Sequence, residues 1–155
     1  MPNVTSNYIE VHICNNGSIE NKFLLFRRSL SGKIYPGIWQ MVTGKIDEGE
    51  STADAVKREL FEETGLRPQK LFVVPKINSF YFPTNDKIVL SPVFLAVVNT
   101  TEIKISDEHC EFKWVSFDEA SKLIYWPNQV ESLIIIKNYF EDKNLYKKLI
   151  ELPVK

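Results

Sequence analysis

The sequence predicts an α+β fold built on a mixed β-sheet. Two observations predict it. Segments with strand character come before and after one strongly helical segment. Further helical segments then follow one another late in the chain, so strands and helices do not alternate regularly as in a βαβ fold. The 155 residues suit one domain, 1–155, and a 44% hydrophobic content with 10 Phe, 6 Tyr and 3 Trp is enough for a core.

The elements follow in order. Tyr8 to Cys14 (YIEVHIC) alternates apolar and polar residues and reads as a half-buried strand. Phe23 to Phe26 is a wholly apolar run ending at Arg27 and Arg28, and Asn15-Asn16-Gly17 between the two runs signals a hairpin turn. Trp39 to Thr43 is a short strand. Ser51 to Thr64 is the strongest helix, opened by a capping-box pair, Ser51 and Asp54, and stopped by Gly65. Leu71 to Ile77 and Ile88 to Val98 are strands joined by a turn at Pro83-Thr84-Asn85-Asp86. Pro92 inside the second marks a bulge or an edge. Phe112 to Val115 is a last strand. Ser116 with Glu119 starts a short helix through Leu123, Asn128 to Phe140 is a third helix and Asn144 to Leu152 a fourth.

Charge and cysteine content narrow the function. With 19 Lys+Arg against 20 Asp+Glu, the net charge of -1 gives no basic excess for gripping a nucleic-acid polymer. Small anions remain open as ligands. Two cysteines, Cys14 and Cys110, are too few for a secreted disulfide scaffold and fit a reducing, cytoplasmic setting. Met1 to Ile9 shows no secretory pattern, and the apolar runs Val93–Val98 and Leu133–Ile136 are too short to span a bilayer. The latter run suits either the core or the interface of a homodimer.

The stretch from Gly44 to Leu66, GKIDEGESTADAVKRELFEETGL, is the informative one. Glu59, Glu62 and Glu63 stand at i, i+3 and i+4 and share one helix face, while Ala53, Val56 and Leu60 fall on the adjacent sector. Like charges so placed repel by roughly 0.2–0.5 kcal/mol per pair, and only Lys57 and Arg58 lie nearby to offset them. A charged helix face is commonly just solvated. A divalent cation would nevertheless compensate this one well. Every donor is a hard oxygen with no Cys–His cluster nearby, which favours Mg²⁺ or Mn²⁺ over zinc.

Gly44, five spacers, Glu50, seven spacers, Arg58-Glu59, Leu60, one spacer, Glu62-Glu63, one spacer, Gly65 and Leu66 resemble the Nudix box at every defining position. The resemblance implies an α/β/α fold, a mixed sheet sandwiched between helices. It implies Mg²⁺-dependent hydrolysis of a phosphoanhydride. It gives Glu59, Glu62 and Glu63 as catalytic metal ligands, with Glu59 also a candidate to activate water. The backbone carbonyl of Thr43 would be a further ligand, and Gly44 would let the backbone approach metal and phosphate. Glu50 and Arg58 would tie the loop to the helix. Glu108 is favoured over Glu111 as an additional ligand or base from a distant loop, and His109 is a weaker candidate for contact with substrate. Arg27 suits phosphate oxygens, and with Trp39, Gln40 and Gly44 it completes the candidate substrate contacts. Phe80, Tyr81, Phe82 and Trp126 are rings able either to stack on a base or to pack in the core.

The run Ile38 to Gly44, with Glu108-His109, Lys113-Trp114 and Trp126-Pro127-Asn128, resembles more diffusely the bacterial dihydroneopterin triphosphate pyrophosphohydrolases, also described as dATP pyrophosphohydrolases. That implies a nucleoside-triphosphate-like substrate. Pro83, near where ADP-ribose-cleaving members carry a proline, keeps ADP-ribose or a nucleotide sugar as the alternative. A non-catalytic nucleotide-binding module is the third reading, and the intact box argues against it.

Overall fold

The computed structural model describes residues 1–16, 20 and 22–155. Its strands are β1 (Asn3–Thr5), β2 (Tyr8–Asn15), β3 (Phe23–Arg28), β4 (Trp39–Gln40), β5 (Val42–Lys45), β6 (Lys70–Phe82), β7 (Lys87–Val98), β8 (His109–Val115) and β9 (Ile150–Leu152). Its helices are α1 (Thr52–Thr64), α2 (Phe117–Leu123), α3 (Pro127–Glu141) and α4 (Lys143–Tyr146).

Among the described residues the strands form one nine-stranded mixed sheet in the order β4-β3-β2-β7-β6-β9. β7 pairs in parallel with β2 and β1, and antiparallel with β6. One edge of β2 is shared. Its first half pairs with β5, from Tyr8↔Lys45 to Val11↔Val42, and its end meets β3 at Cys14↔Phe23. β3 turns instead to β8 and β4. The sheet therefore divides beside β5, and the Gly44 loop stands at the split.

Alternation along the strands gives each face its own core. Ile9, Val11, Ile13, Leu24, Phe26 and Val42 meet Val56 and Leu60 of α1. Cys14, Phe23, Leu25, Met41 and Leu95 meet Ala120 of α2 and Leu133 and Ile136 of α3. This is the α/β/α sandwich implied by the sequence. Leu133 and Ile136 are consumed by the core, while Ile134 stays exposed. No helix among the described residues is long and apolar enough to cross a membrane.

The start and stop signals of α1 hold. Ser51 caps α1 by accepting from Asp54 N at 3.2 Å, and Gly65 ends it at φ 73° with its N–H on Phe61 O. Ala55, not Ala53, joins Val56 and Leu60 in the buried stripe. Pro92 lies opposite a register shift between Val74 and Ile77, so it sits at a bulge within a central strand and not at an edge. The hairpin from β2 to β3 forms, with Asn15 N on Lys22 O at 3.0 Å and Asn16 at φ 65°, whereas Gly17 lies outside the described residues.

Two larger expectations also change. Asn144–Leu152 is not one helix: a four-residue α4 is followed by β9, which takes the free edge of β6 at Leu71–Val73. β2 is not half-buried, because α3 covers its polar side. Glu10 and His12 are 4% and 0% exposed. Inside they pair with one another and with Asn78: His12 Nε2 lies 2.9 Å from Glu10 Oε2, and Asn78 Nδ2 donates to both Glu10 oxygens at 2.9 and 3.0 Å. Asn78 Nδ2 also reaches Ser132 Oγ of α3 at 3.4 Å. A buried carboxylate stripped of its donor is costly, so Asn78→Ala should lower stability by about 1–3 kcal/mol. Urea unfolding checks this through its midpoint; an unchanged midpoint would contradict the role given to these hydrogen bonds.

Candidate functional site

The local sequence brings α1 and the Gly44 loop together through one side chain. Arg58 donates from Nε and Nη2 to the two oxygens of Glu50, at 2.8 and 2.9 Å. Nη2 also reaches the carbonyl of Lys45 at 2.8 Å, and Nη1 reaches Glu59 Oε1 at 2.8 Å and Glu62 Oε2 at 3.2 Å. Glu50 in turn accepts from Asp47 N at 3.0 Å. The guanidinium thus fixes the loop on the helix and offsets the crowded carboxylates. Hydrogen bonds from Arg58 and then Asp47 hold the Glu50 carboxyl below the usual range. Hydrogen bonds to Glu50 and then Glu59 push Arg58 further above its ordinary value.

Gly44 has a steric reason. A Cβ there would stand 2.2 Å from Cδ and 2.4 Å from Cγ of Glu59, so the glutamate lies directly against the loop backbone. Burial raises the Glu59 pKa, with Arg58 opposing and Glu62 and Glu63 adding to the rise. A cavity of about 300 Å³ opens here, lined by Tyr8, Thr43, Gly44, Lys45, Glu59 and Glu108. The distant acidic loop therefore delivers Glu108 and not Glu111, which sits on β8 beside Arg27.

Glu63 is 5% exposed, on the inner side of α1. Its Oε2 accepts from Ser106 Oγ at 2.5 Å and lies 3.0 Å from His109 Nδ1. Burial alone would raise its pKa, but the hydrogen bonds from His109 and Ser106 outweigh this and leave the carboxyl below its usual value. Glu62 is exposed and touches the group through Arg58. Among the described residues no three acidic, His or Cys side chains converge on one point as they stand, since Arg58 separates Glu59 from Glu62 and Glu63 is turned to His109.

A divalent ion fits the donor chemistry. The carboxylates beside the cavity are hard oxygens, the cationic guanidinium occupies the space between Glu59 and Glu62, and Glu59 fills the place of a Cβ at Gly44. An ion seated between Glu59 and Glu62 would take the place of Arg58 Nη1, which bridges them here.

Other candidate contacts lie outside this cavity. Arg27 Nε donates to Gly37 O at 3.1 Å and Nη1 reaches Glu111 at 3.4 Å, so its guanidinium braces the 29–38 loop. Trp39 packs on the α2–α3 core with Lys113 Nζ 5.0 Å above its ring. Gln40 is buried, and its Oε1 accepts from Trp126 Nε1 at 3.2 Å. Trp126 belongs to a ring cluster with Tyr35 and Tyr125, at 4.7 and 4.9 Å between centroids. Phe80, Tyr81 and Phe82 are exposed on β6. Sequence reasoning overlooked Tyr8, Lys45 and Ser106. Lys45, next to the box glycine, was the legible one, since a cation beside a phosphate loop has an obvious use.

The chain belongs to the Nudix family: the NUDIX domain pattern matches residues 11–134. It is 31% identical over 112 residues to an uncharacterized Nudix hydrolase of Pseudomonas aeruginosa, covering 69% of this chain and 64% of that protein, less than two-thirds of its length. It is 30% identical over 141 residues to an ADP-ribose pyrophosphatase of Methanocaldococcus jannaschii, covering 88% of this chain and 78% of that one. The E. coli dihydroneopterin triphosphate pyrophosphohydrolase superposes with a TM-score of 0.70 at 20% identity, over 86% of this chain and 95% of that one, a likeness of fold.

The Glu50–Arg58 pair makes a pH prediction. The folded state binds a proton at Glu50 less readily than the unfolded state, whose carboxyl titrates at about 4.3. Its stabilisation is therefore present above that pH and is lost as pH falls through the lower, folded value. Glu50→Gln should unfold at lower temperature than wild type at pH 7, with the gap closing as pH falls below about 4. Thermal melts across pH check it; a gap independent of pH would contradict it.

Proposed function

We propose that the chain hydrolyses a phosphoanhydride bond of a nucleoside-triphosphate-like molecule, dihydroneopterin triphosphate or dATP, with Mg²⁺ or Mn²⁺. Water attacks phosphorus, the anhydride P–O bond breaks, and monophosphate and pyrophosphate leave. The supporting observation is the cavity where Glu59 and Glu108 face Thr43, Gly44 and Lys45 beside the Arg58 hub. Bound divalent metal would neutralise phosphate oxygens and help ionise the attacking water.

Glu59, Glu62, Glu63, Glu108 and the Thr43 carbonyl are the proposed ligand set. Glu59, the carboxylate held against the loop, is the proposed base. Lys45 Nζ lies 5.6 Å from the Tyr8 ring centroid and supplies positive charge for phosphate. Gln40 with the Trp126, Tyr125 and Tyr35 rings is suited to a heterocycle. Gln40 precedes Thr43 by three residues, a span of about 10 Å in extended chain that suits a triphosphate between ring and cavity. Arg27 would then act indirectly, by bracing the 29–38 loop. A cytoplasmic setting suits such a substrate. A homodimer gains no support from Leu133 and Ile136, which are already buried.

The Methanocaldococcus relative favours a second reading, in which ADP-ribose is cleaved to AMP and ribose phosphate. A substrate panel with and without Mg²⁺ separates the two by products. Pyrophosphate from dihydroneopterin triphosphate or dATP supports the first reading. AMP from ADP-ribose alone replaces it, and binding without turnover means a non-catalytic module. In the same assay Gly44→Ala should lower kcat about 100-fold with the fold retained, because the added methyl displaces Glu59. A fully active Gly44→Ala would contradict the placement of Glu59.

A further inference from the structure

We propose that His109 and Ser106 are positioning residues, a two-donor clasp that locks Glu63 on α1 and thereby seats Glu108 at the cation site. The proposal rests on the reading of the carboxylates as metal ligands. Both donors meet one oxygen, Glu63 Oε2, across 43 and 46 residues of sequence. An ionised carboxylate only accepts, so the imidazole must carry its proton on Nδ1. His109 is 7% exposed, and its ring lies 5.0 Å from that of the fully buried Phe26, which fixes its plane. His109 N bonds Ser106 O at 3.2 Å and closes the turn that carries Glu108. The turn is tied at two more points: Lys104 N to Thr64 O at 3.0 Å, and Ser29 N to Glu108 O at 3.1 Å.

Glu108 is itself exposed, and its carboxyl meets that of Glu63. Its place in the cavity beside Glu59 is therefore inherited from its flanking residues. The clasp leaves Glu63 Oε1 for other partners and sets the direction of that oxygen. A metal ligand oriented by a buried imidazole is a known way to sharpen affinity.

Mn²⁺ binding to the metal-free protein, read by electron paramagnetic resonance of the free ion, tests this without turnover. His109→Phe keeps the ring packing and removes the donor, and should weaken Mn²⁺ binding by about 10- to 100-fold. His109→Asn returns a donor near Nδ1 and should recover binding to within about threefold of wild type. If His109→Phe does not fold by circular dichroism, Ser106→Ala carries the test, with an expected loss of about tenfold. Lowered melting temperature with unchanged Mn²⁺ affinity would make the contacts purely structural and overturn the proposal. Wild-type protein that binds no Mn²⁺ would instead overturn the metal-site reading beneath it.

Discussion

Arg58 is the constraint on which the site depends. Three glutamates within little more than a turn of helix are mutually repulsive, and the loop that should face them has only Gly44 and Gly49 for flexibility. One guanidinium answers both problems, holding Glu50 and the Lys45 carbonyl on one side and Glu59 and Glu62 on the other. A planar fork of donors can do this where a lysine could not. The arrangement is also conditional. The bonds to Glu50 are bidentate and keep the loop in place, while those to Glu59 and Glu62 share a single nitrogen. A competing cation would displace the latter first, leaving the scaffold standing as the carboxylates change partner.

The two faces of the sheet divide the work. On the α1 face, apolar packing of Val56 and Leu60 sets the helix at a fixed height, so that Glu59 reaches the Gly44 backbone. On the opposite face, α3 covers Glu10 and His12, and Asn78 joins them to Ser132. That buried polar layer fixes how α3 lies on the sheet. Trp126, directly before α3, is thereby kept beside Gln40. The proposed phosphate and ring contacts would thus lie on separate elements that meet at the β4–β5 run.

Much of this was legible in the sequence because it is local. The caps of α1, its carboxylate row and the Gly44–Leu66 pattern all lie within a few turns of chain, where spacing determines geometry. What was illegible depends on partners far away. β9 looked helical, and it becomes a strand because β6 offers an open edge at Leu71–Val73. The alternation of β2 suggested a wet face, yet the cover on Glu10 and His12 comes from a helix more than a hundred residues later. The role of His109 was likewise hidden. Only the fold reveals that Ser106 and His109 converge on one oxygen of Glu63, and that Arg27 faces Gly37 and Glu111 instead of the cavity.

A crystal structure with Mn²⁺ and a non-hydrolysable dATP analogue tests the central claim most directly, since manganese can be located by its anomalous scattering. Manganese should lie between Glu59 and Glu62, with Arg58 withdrawn from Glu59 yet still bidentate on Glu50. Manganese bound away from α1, with Arg58 still bridging Glu59 and Glu62, would contradict it.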